Sequence, residues 1–341
     1  MKINTDVLKE SLDFLSMGIS KAASSPTATK LIELSTHEGK LYGYTYDEVN
    51  FLRVKICDTT EDFNVVLTFD VFNSLVSSCK DDEIELIIEK KGVKFKTKTM
   101  SCKLANYLQT ASTSPVKHPL TTLCDKECTE DIGQYMSAIK SILNKNHVIT
   151  CYQNIYFGDA ILATDTDNAL IINKQVFTED LLLSYHSVEI LNSLGNFNYA
   201  IKTENGWTSL YVKTENKVLY ITTFKRDEYQ YNDFKNLLKV DIPNAVDIEK
   251  TDLNNGLSTA SLFQSANIDI VMSKDGVSLV IPSDDFNYKI STIPCEDFSY
   301  RVPIATVKRM LCLDQKITLF YGNKDFIKIY SGDYKELLGV V

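Results

Sequence analysis

The sequence predicts an α+β protein built of three tandem modules, each with two amphipathic helices and about eight short strands. Three observations carry this reading. A helix–hairpin unit recurs at near-equal steps, a helix start recurs at matching steps, and 341 residues supply enough chain for two or three domains.

The recurring unit is a short amphipathic helix, a strand, a glycine turn and a second strand. Its first copy runs from Asp70 to Val76, then Ile84 to Ile88, the turn Glu89-Lys90-Lys91-Gly92, and Val93 to Thr97. The second runs from Ser187 to Leu191, then Tyr199 to Thr203, the turn Glu204-Asn205-Gly206, and Trp207 to Val212. The third runs from Ile304 to Leu311, then Ile317 to Tyr321, the turn Gly322-Asn323-Lys324, and Phe326 to Tyr330. The turn glycines at 92, 206 and 322 stand 114 and 116 residues apart. Trp207, beginning a strand after its turn, reads as a packing residue.

Each module opens on Thr followed by an acidic residue: Thr5-Asp6, Thr129-Glu130-Asp131 and Thr251-Asp252. Thr is a competent helix N-cap, and a carboxylate suits the positive end of a helix. Behind these starts, apolar residues recur on one helical face. They are Leu8, Leu12, Leu15 and Ile19, then Ile132, Tyr135, Met136, Ile139 and Leu143, then Leu253, Leu257 and Ala260 with Phe263 nearby. Between the helices, β-branched and aromatic runs read as strands: Lys30–Ser35, Lys40–Tyr46, Phe51–Cys57, Val148–Phe157, Val218–Thr223, Ile268–Met272 and Val277–Ile281. Boundaries fall in the Ser/Thr/Pro-rich stretch Thr110–Thr121 and around Pro243, giving modules at 1–113, 120–240 and 241–341.

Lys and Arg number 36 against 45 Asp and Glu, a net charge of −9, so the surface as a whole does not suit phosphate. The helix faces are different. Asn73, Ser74, Ser77, Lys80, Gln134, Lys140, Asn144, Lys145, Lys308 and Arg309 are small, polar or basic, while acidic residues gather in turns and strands. An ordinary solvated helix face would look similar, yet on an acidic chain the bias favours a face turned to nucleic acid. No apolar run approaches the ~18–20 residues that span a bilayer, and the polar N-terminus is unlike a signal peptide, so the expected compartment is the cytoplasm.

Chemistry-bearing motifs are absent. There is no phosphate loop, nucleophile elbow or metalloprotease helix, and His37, His118, His147 and His186 lie far apart in sequence. Cys124 and Cys128 with His118 fall short of a four-ligand zinc set, so the eight cysteines read as thiols. Asp165 and Asp167 read as a turn, because a cation cage needs more oxygen ligands nearby. The chain is expected not to be an enzyme and to need no cofactor or metal.

Three short stretches carry a family resemblance. Ala163-Thr164-Asp165-Thr166, the run Tyr231-Asn232-Asp233-Phe234-Lys235-Asn236-Leu237-Leu238, and the apolar tail Tyr334–Val341, set in three modules, resemble the bacterial or phage β-type DNA polymerase sliding clamp. Thr166 stands where that family has glycine, Asp167-Asn168 replaces its basic pair, and Leu238-Lys239 replaces its apolar–proline pair. The resemblance implies DNA-clamp modules from two chains closing head-to-tail into a homodimeric ring around duplex DNA, without sequence preference. DNA polymerase and the clamp loader would dock through a short peptide motif. Lys9, Lys21, Lys80, Lys140, Lys145, Lys308 and Arg309 would face the hole. Thr164, Asp165, Thr166, Leu170, Leu238 and Leu337, with Leu338 and Val340, would line the peptide cleft, and the lost basic pair implies a less acidic peptide. Ring closure would use an edge strand near Ser101–Leu108 and an edge strand of the third module. The rival readings are a non-enzymatic β-rich adaptor such as a virion component, a clamp decoy that binds partners without encircling DNA, and a thiol enzyme using Cys151 or Cys124.

Overall fold

The computed structural model describes residues 1–22, 24–90, 92–107, 122–143, 153–164, 168–204, 207–225, 241–309, 316–323, 326–331 and 334–339; at 141, 168, 223–225, 306, 309, 326–327, 331 and 334–339 it describes the backbone alone. Among these residues one order of elements, β-α-β-β-β-β-α-β-β-β, occurs three times.

In the first occurrence β1 (Lys2–Asn4) leads into α1 (Thr5–Ser16). The helix cap is Asn4, whose Oδ1 accepts from the Asp6 and Val7 amides at 3.0 and 3.1 Å. Thr5, the expected cap, is already inside the helix, and its hydroxyl donates to the Asp81 carbonyl at 2.6 Å. The other two Thr starts also miss the cap, Thr251 because it is already inside its helix and Thr129 because it lies four residues before its helix begins. The later helices begin at Gly133 and Lys250, so neither Thr129 nor Thr251 takes the cap position. The apolar stripe Leu8, Leu12 and Leu15 is buried, as read. Then come β2 (Leu31–His37), β3 (Lys40–Tyr46), β4 (Asn50–Asp58) and β5 (Asn64–Thr68), α2 (Phe69–Ser78), and β6 (Glu83–Glu89), β7 (Gly92–Lys96) and β8 (Ser101–Leu104). The β6–β7 turn needs glycine because a Cβ on Gly92 would lie 2.2 Å from the Leu104 carbonyl oxygen of β8.

The second occurrence is β9 (Lys126–Cys128), α3 (Gly133–Ile142), β10 (Asn154–Phe157), β11 (Ile161–Thr164), β12 (Asn168–Ile172), β13 (Leu181–Ser184), α4 (Tyr185–Asn192), β14 (Phe197–Glu204), β15 (Trp207–Lys213) and β16 (Lys217–Lys225). The third is β17 (Asn244–Glu249), α5 (Lys250–Ala260), β18 (Asn267–Ser273), β19 (Gly276–Ile281), β20 (Phe286–Ser291), β21 (Phe298–Pro303), α6 (Ile304–Arg309), β22 (Lys316–Tyr321), β23 (Phe326–Ser331) and β24 (Tyr334–Gly339). Trp207 does begin a strand, but it is 43% exposed rather than packed away.

The chain divides into two compact units, and the division cuts through the second occurrence. One unit holds Met1–Asp131 with His186–Arg226, the other Ile132–Tyr185 with Asp227–Val341. In the first unit one sheet runs β1-β6-β7-β8 and a larger one runs β5-β2-β3-β4-β16-β15-β14-β9. In the second a sheet runs β20-β19-β18-β21 and a larger one runs β13-β10-β11-β12-β24-β23-β22-β17. Helix α1 lies against β3, β4 and α2, while α5 lies against β17, β19, β20 and α6. Each helix thus covers the apolar side of its sheet, as a one-sided stripe requires.

Candidate functional site

The sheets expose a rule of assembly. Each occurrence contributes two four-stranded pieces with fixed order: β5-β2-β3-β4, β13-β10-β11-β12 and β21-β18-β19-β20 on the one hand, β1-β6-β7-β8, β9-β14-β15-β16 and β17-β22-β23-β24 on the other. The last strand of a first-type piece pairs with the last strand of the next occurrence's second-type piece. So β4 pairs with β16 and β12 with β24, both antiparallel. The two strands left over are β20 and β8, each at the open edge of a four-stranded sheet.

The β4–β16 joint is built in detail. Five residue pairs run in register, from Lys217↔Val54 to Ile221↔Asn50. Beside them lies a polar cluster. Asp47, in the β3–β4 turn, accepts from the amides of Val49 and Asn50 and from the Asn50 side chain at 3.0, 2.6 and 2.9 Å. Buried Asn50 in turn accepts from the buried Ser187 hydroxyl of α4 at 2.8 Å. His186, next in α4, places Nε2 2.7 Å from the Met17 carbonyl just past α1 and 3.5 Å from Asp47 Oδ2; its Nδ1 is 3.6 Å from Glu189. Hydrogen bonding to Asp47 raises the His186 pKa against the opposing effect of burial. Burial alone would raise that of Asp47, but the bonds from His186, Asn50 and Val49 outweigh it and the net shift is downward. The sequence reading passed over this cluster; its only local signal was Asp47-Glu48-Val49-Asn50, an Asx-turn pattern.

The open edges carry different chemistry. Leu262 is 78% exposed and Phe263 38%, in the 3-10 turn that follows α5. The Phe263 ring lies 5.1 Å from that of Phe286, the first residue of β20. Aligning the buried stripes, Leu253, Leu257 and Ala260 of α5 match Leu8, Leu12 and Leu15 of α1, so Leu262 occupies the place of Met17. Matching the helix starts, buried Phe69 and Phe72 of α2 correspond to buried Tyr185 and Val188 of α4, which puts exposed Asp70 in the place of His186 and half-exposed Val71 in that of Ser187.

The expected cationic residues are spread over four helices or the segments after them. Lys21, Lys80, Lys140 and Lys308 are exposed, whereas half-buried Lys9 donates to the Cys79 carbonyl at 2.9 Å and so closes the end of α2. Arg309 ends α6, and Lys145 lies outside the described residues. The expected peptide-cleft residues converge on β11, β12 and β24 of the second unit. Thr164 pairs with Ala169, Ala169 with Leu337 and Asn168 with Leu338. Thr164 and Leu170 are buried. Asp165, Thr166, Leu238 and Val340 lie outside the described residues, as do His118 and Cys151. Among the described residues no helix is long and apolar enough to cross a membrane, and no three His, Cys, Asp or Glu side chains are grouped to hold a metal.

Solved structures share this arrangement: the chain has the fold of the bacterial DNA polymerase III beta subunit, the beta clamp. It is similar to the Helicobacter pylori beta clamp bound to a DNA ligase peptide, with 16% identity, TM-score 0.80, and 100% of this chain and 99% of that one covered. It is likewise similar to the beta chain from Streptococcus pneumoniae, with 14% identity, TM-score 0.82, and 100% and 98% covered. Against the beta subunit from Pseudomonas aeruginosa the identity is 11% and the TM-score 0.81, with 100% and 99% covered. No protein-family model matches the sequence. No curated protein matches it either.

Proposed function

We propose that the chain is a DNA sliding clamp: a non-catalytic processivity factor whose two copies close into a ring around duplex DNA. The observation that carries this is the pair of open edges. Among the described residues, the rule that joins β4 to β16 and β12 to β24 leaves β20 and β8 without the counterpart it assigns them. A head-to-tail contact between β20 of one copy and β8 of the next applies the same rule a third time. Exposed edges offer unpaired N–H and C=O groups for such a contact, and an equivalent contact at both ends closes a two-fold ring. Across this seam Leu262 and the partner subunit's Asp70 and Val71 would take the places that Met17, His186 and Ser187 hold within the chain.

In this ring the helices face the hole, and Lys21, Lys80, Lys140, Lys145, Lys308 and Arg309 supply loose phosphate contacts. A clamp must slide, so few and mobile cations suffice, and the acidic remainder repels DNA from the outer wall. Lys9 serves packing more than DNA, since its ammonium is committed to Cys79. The neighbouring Helicobacter structure holds a DNA ligase peptide, which supports a cleft for partner peptides here, with Thr164, Leu170, Leu337 and Leu338 on β11, β12 and β24. A polymerase and a clamp loader are the partners this function requires.

The test is topological. Loaded on nicked circular duplex, the protein should persist through gel filtration, and linearising the circle should release it. Equal retention on both forms would overturn the proposal. Reversing Lys140 and Lys308 to Glu together should reduce retention and flatten the salt dependence of log K by roughly 1–2.

A further inference from the structure

His186 sits where three acceptors converge from three different elements. The Met17 carbonyl comes from the end of α1, the Asp47 carboxylate from the β3–β4 turn, and the Glu189 carboxylate from α4 itself. A neutral imidazole has one N–H and could satisfy only one side of this arrangement; the imidazolium has two and answers both. Both ring nitrogens face oxygen, so the geometry calls for the charged form. Asp47 is meanwhile fixed by its bonds from Val49 and Asn50, and Asn50 is fixed by Ser187, so a change at the ring is felt along the joint.

We propose that His186 is a pH-operated clip on the β4–β16 joint: protonated, it ties the end of α1 and the β3–β4 turn to the start of α4, and on losing one proton it lets that joint loosen. The clip rests on the geometry of the first unit alone and does not depend on the clamp reading. The Nε2 proton stays on the Met17 carbonyl, and the proton lost to solvent is the one on Nδ1. With it go the charge that attracts Asp47 and the bond toward Glu189.

The direction follows from the two shifts. The His186 pKa is raised above 6.5 in the folded chain, so its contribution is complete below 6.5 and is lost as pH rises through the folded value. That of Asp47 is lowered from 3.8, so its contribution is present above 3.8 and is lost as pH falls through its folded value. The joint is therefore tightest between 3.8 and 6.5 and loosens as pH rises through the folded His186 value. In a clamp, such loosening would make one internal joint more pliable without touching the ring seam.

The test uses the full chain. Imidazole NMR titration, with the His186 signal assigned by its loss in His186→Gln, should give a midpoint above 6.5, and Asp47→Asn should lower that midpoint. Amide-exchange protection at residues 51–54 and 217–221, corrected for intrinsic rates, should fall at least threefold between pH 6 and 8.5 in the wild type and stay flat in His186→Gln. A midpoint at or below 6.5, or an identical pH dependence in both proteins, would overturn the proposal. Should His186→Gln fail to fold, the wild-type and Asp47→Asn titrations decide it alone, with the signal assigned by through-bond correlation.

Discussion

Where β4 meets β16, five residue pairs are locked in register and a buried Asn50–Ser187 bond lies beside them, whereas β8 and β20 stand at sheet edges with no further strand paired to them among the described residues. At the first place the end of α1 meets α4 through a carbonyl, a histidine and a carboxylate; at the second the corresponding positions are Leu262 and Asp70, with Val71 in the place of Ser187, all exposed. One structural frame thus carries two kinds of contact. A permanent joint can use buried polar groups, which specify geometry and are costly when broken. A contact that must form between separate chains gains more from apolar surface, which each copy can expose alone without leaving a polar group unpaired.

That contrast can be broken at the edge first. Replacing Leu262 by Glu should cost about 1.5–3 kcal/mol at each seam, and a two-seam ring feels it twice, so dimer dissociation should rise at least ~100-fold. Sedimentation velocity over a dilution series reads this, and a dimer as tight as wild type would remove Leu262 from the seam. The joint should respond in the opposite manner. Asn50→Leu removes the side-chain bonds that Asn50 makes with the Ser187 hydroxyl and the Asp47 carboxylate, so unfolding free energy should fall by about 2–3 kcal/mol while the dimer persists in native buffer. Urea denaturation checks the first part and light scattering the second. The smallest effect belongs to Gly92→Ala. The new methyl would displace Leu104 and with it β8, weakening association by ~1 kcal/mol or more while circular dichroism stays unchanged. Unaltered association would mean that β8 does not carry the seam.

Much of the frame was legible in the sequence because its signals are local. Leu8, Leu12 and Leu15 repeat at helical spacing, the strands 40–46 and 277–281 alternate, and Gly92 marks a turn that only glycine fits. The capping residues were misread because Thr–acidic pairs are common inside first turns as well as before them; Asn4 rather than Thr5 holds the α1 amides. The pairings β4–β16 and β12–β24 join strands more than 160 residues apart, and no local pattern specifies such a partner. His186 was invisible for a related reason, since its meaning comes from Met17 and Asp47, which are distant in sequence. Of the expected site residues, Lys21, Lys80, Lys140 and Lys308 are exposed, while Thr164 and Leu170 are buried.

The central claim is that two copies close through β8 and β20. Light scattering of the purified wild-type chain at about 10 μM tests it most directly, repeated in about 1 M salt, which screens ionic contacts and leaves apolar ones in place. The account predicts twice the 38.6 kDa chain mass in both buffers. A single-chain mass at that concentration would contradict it.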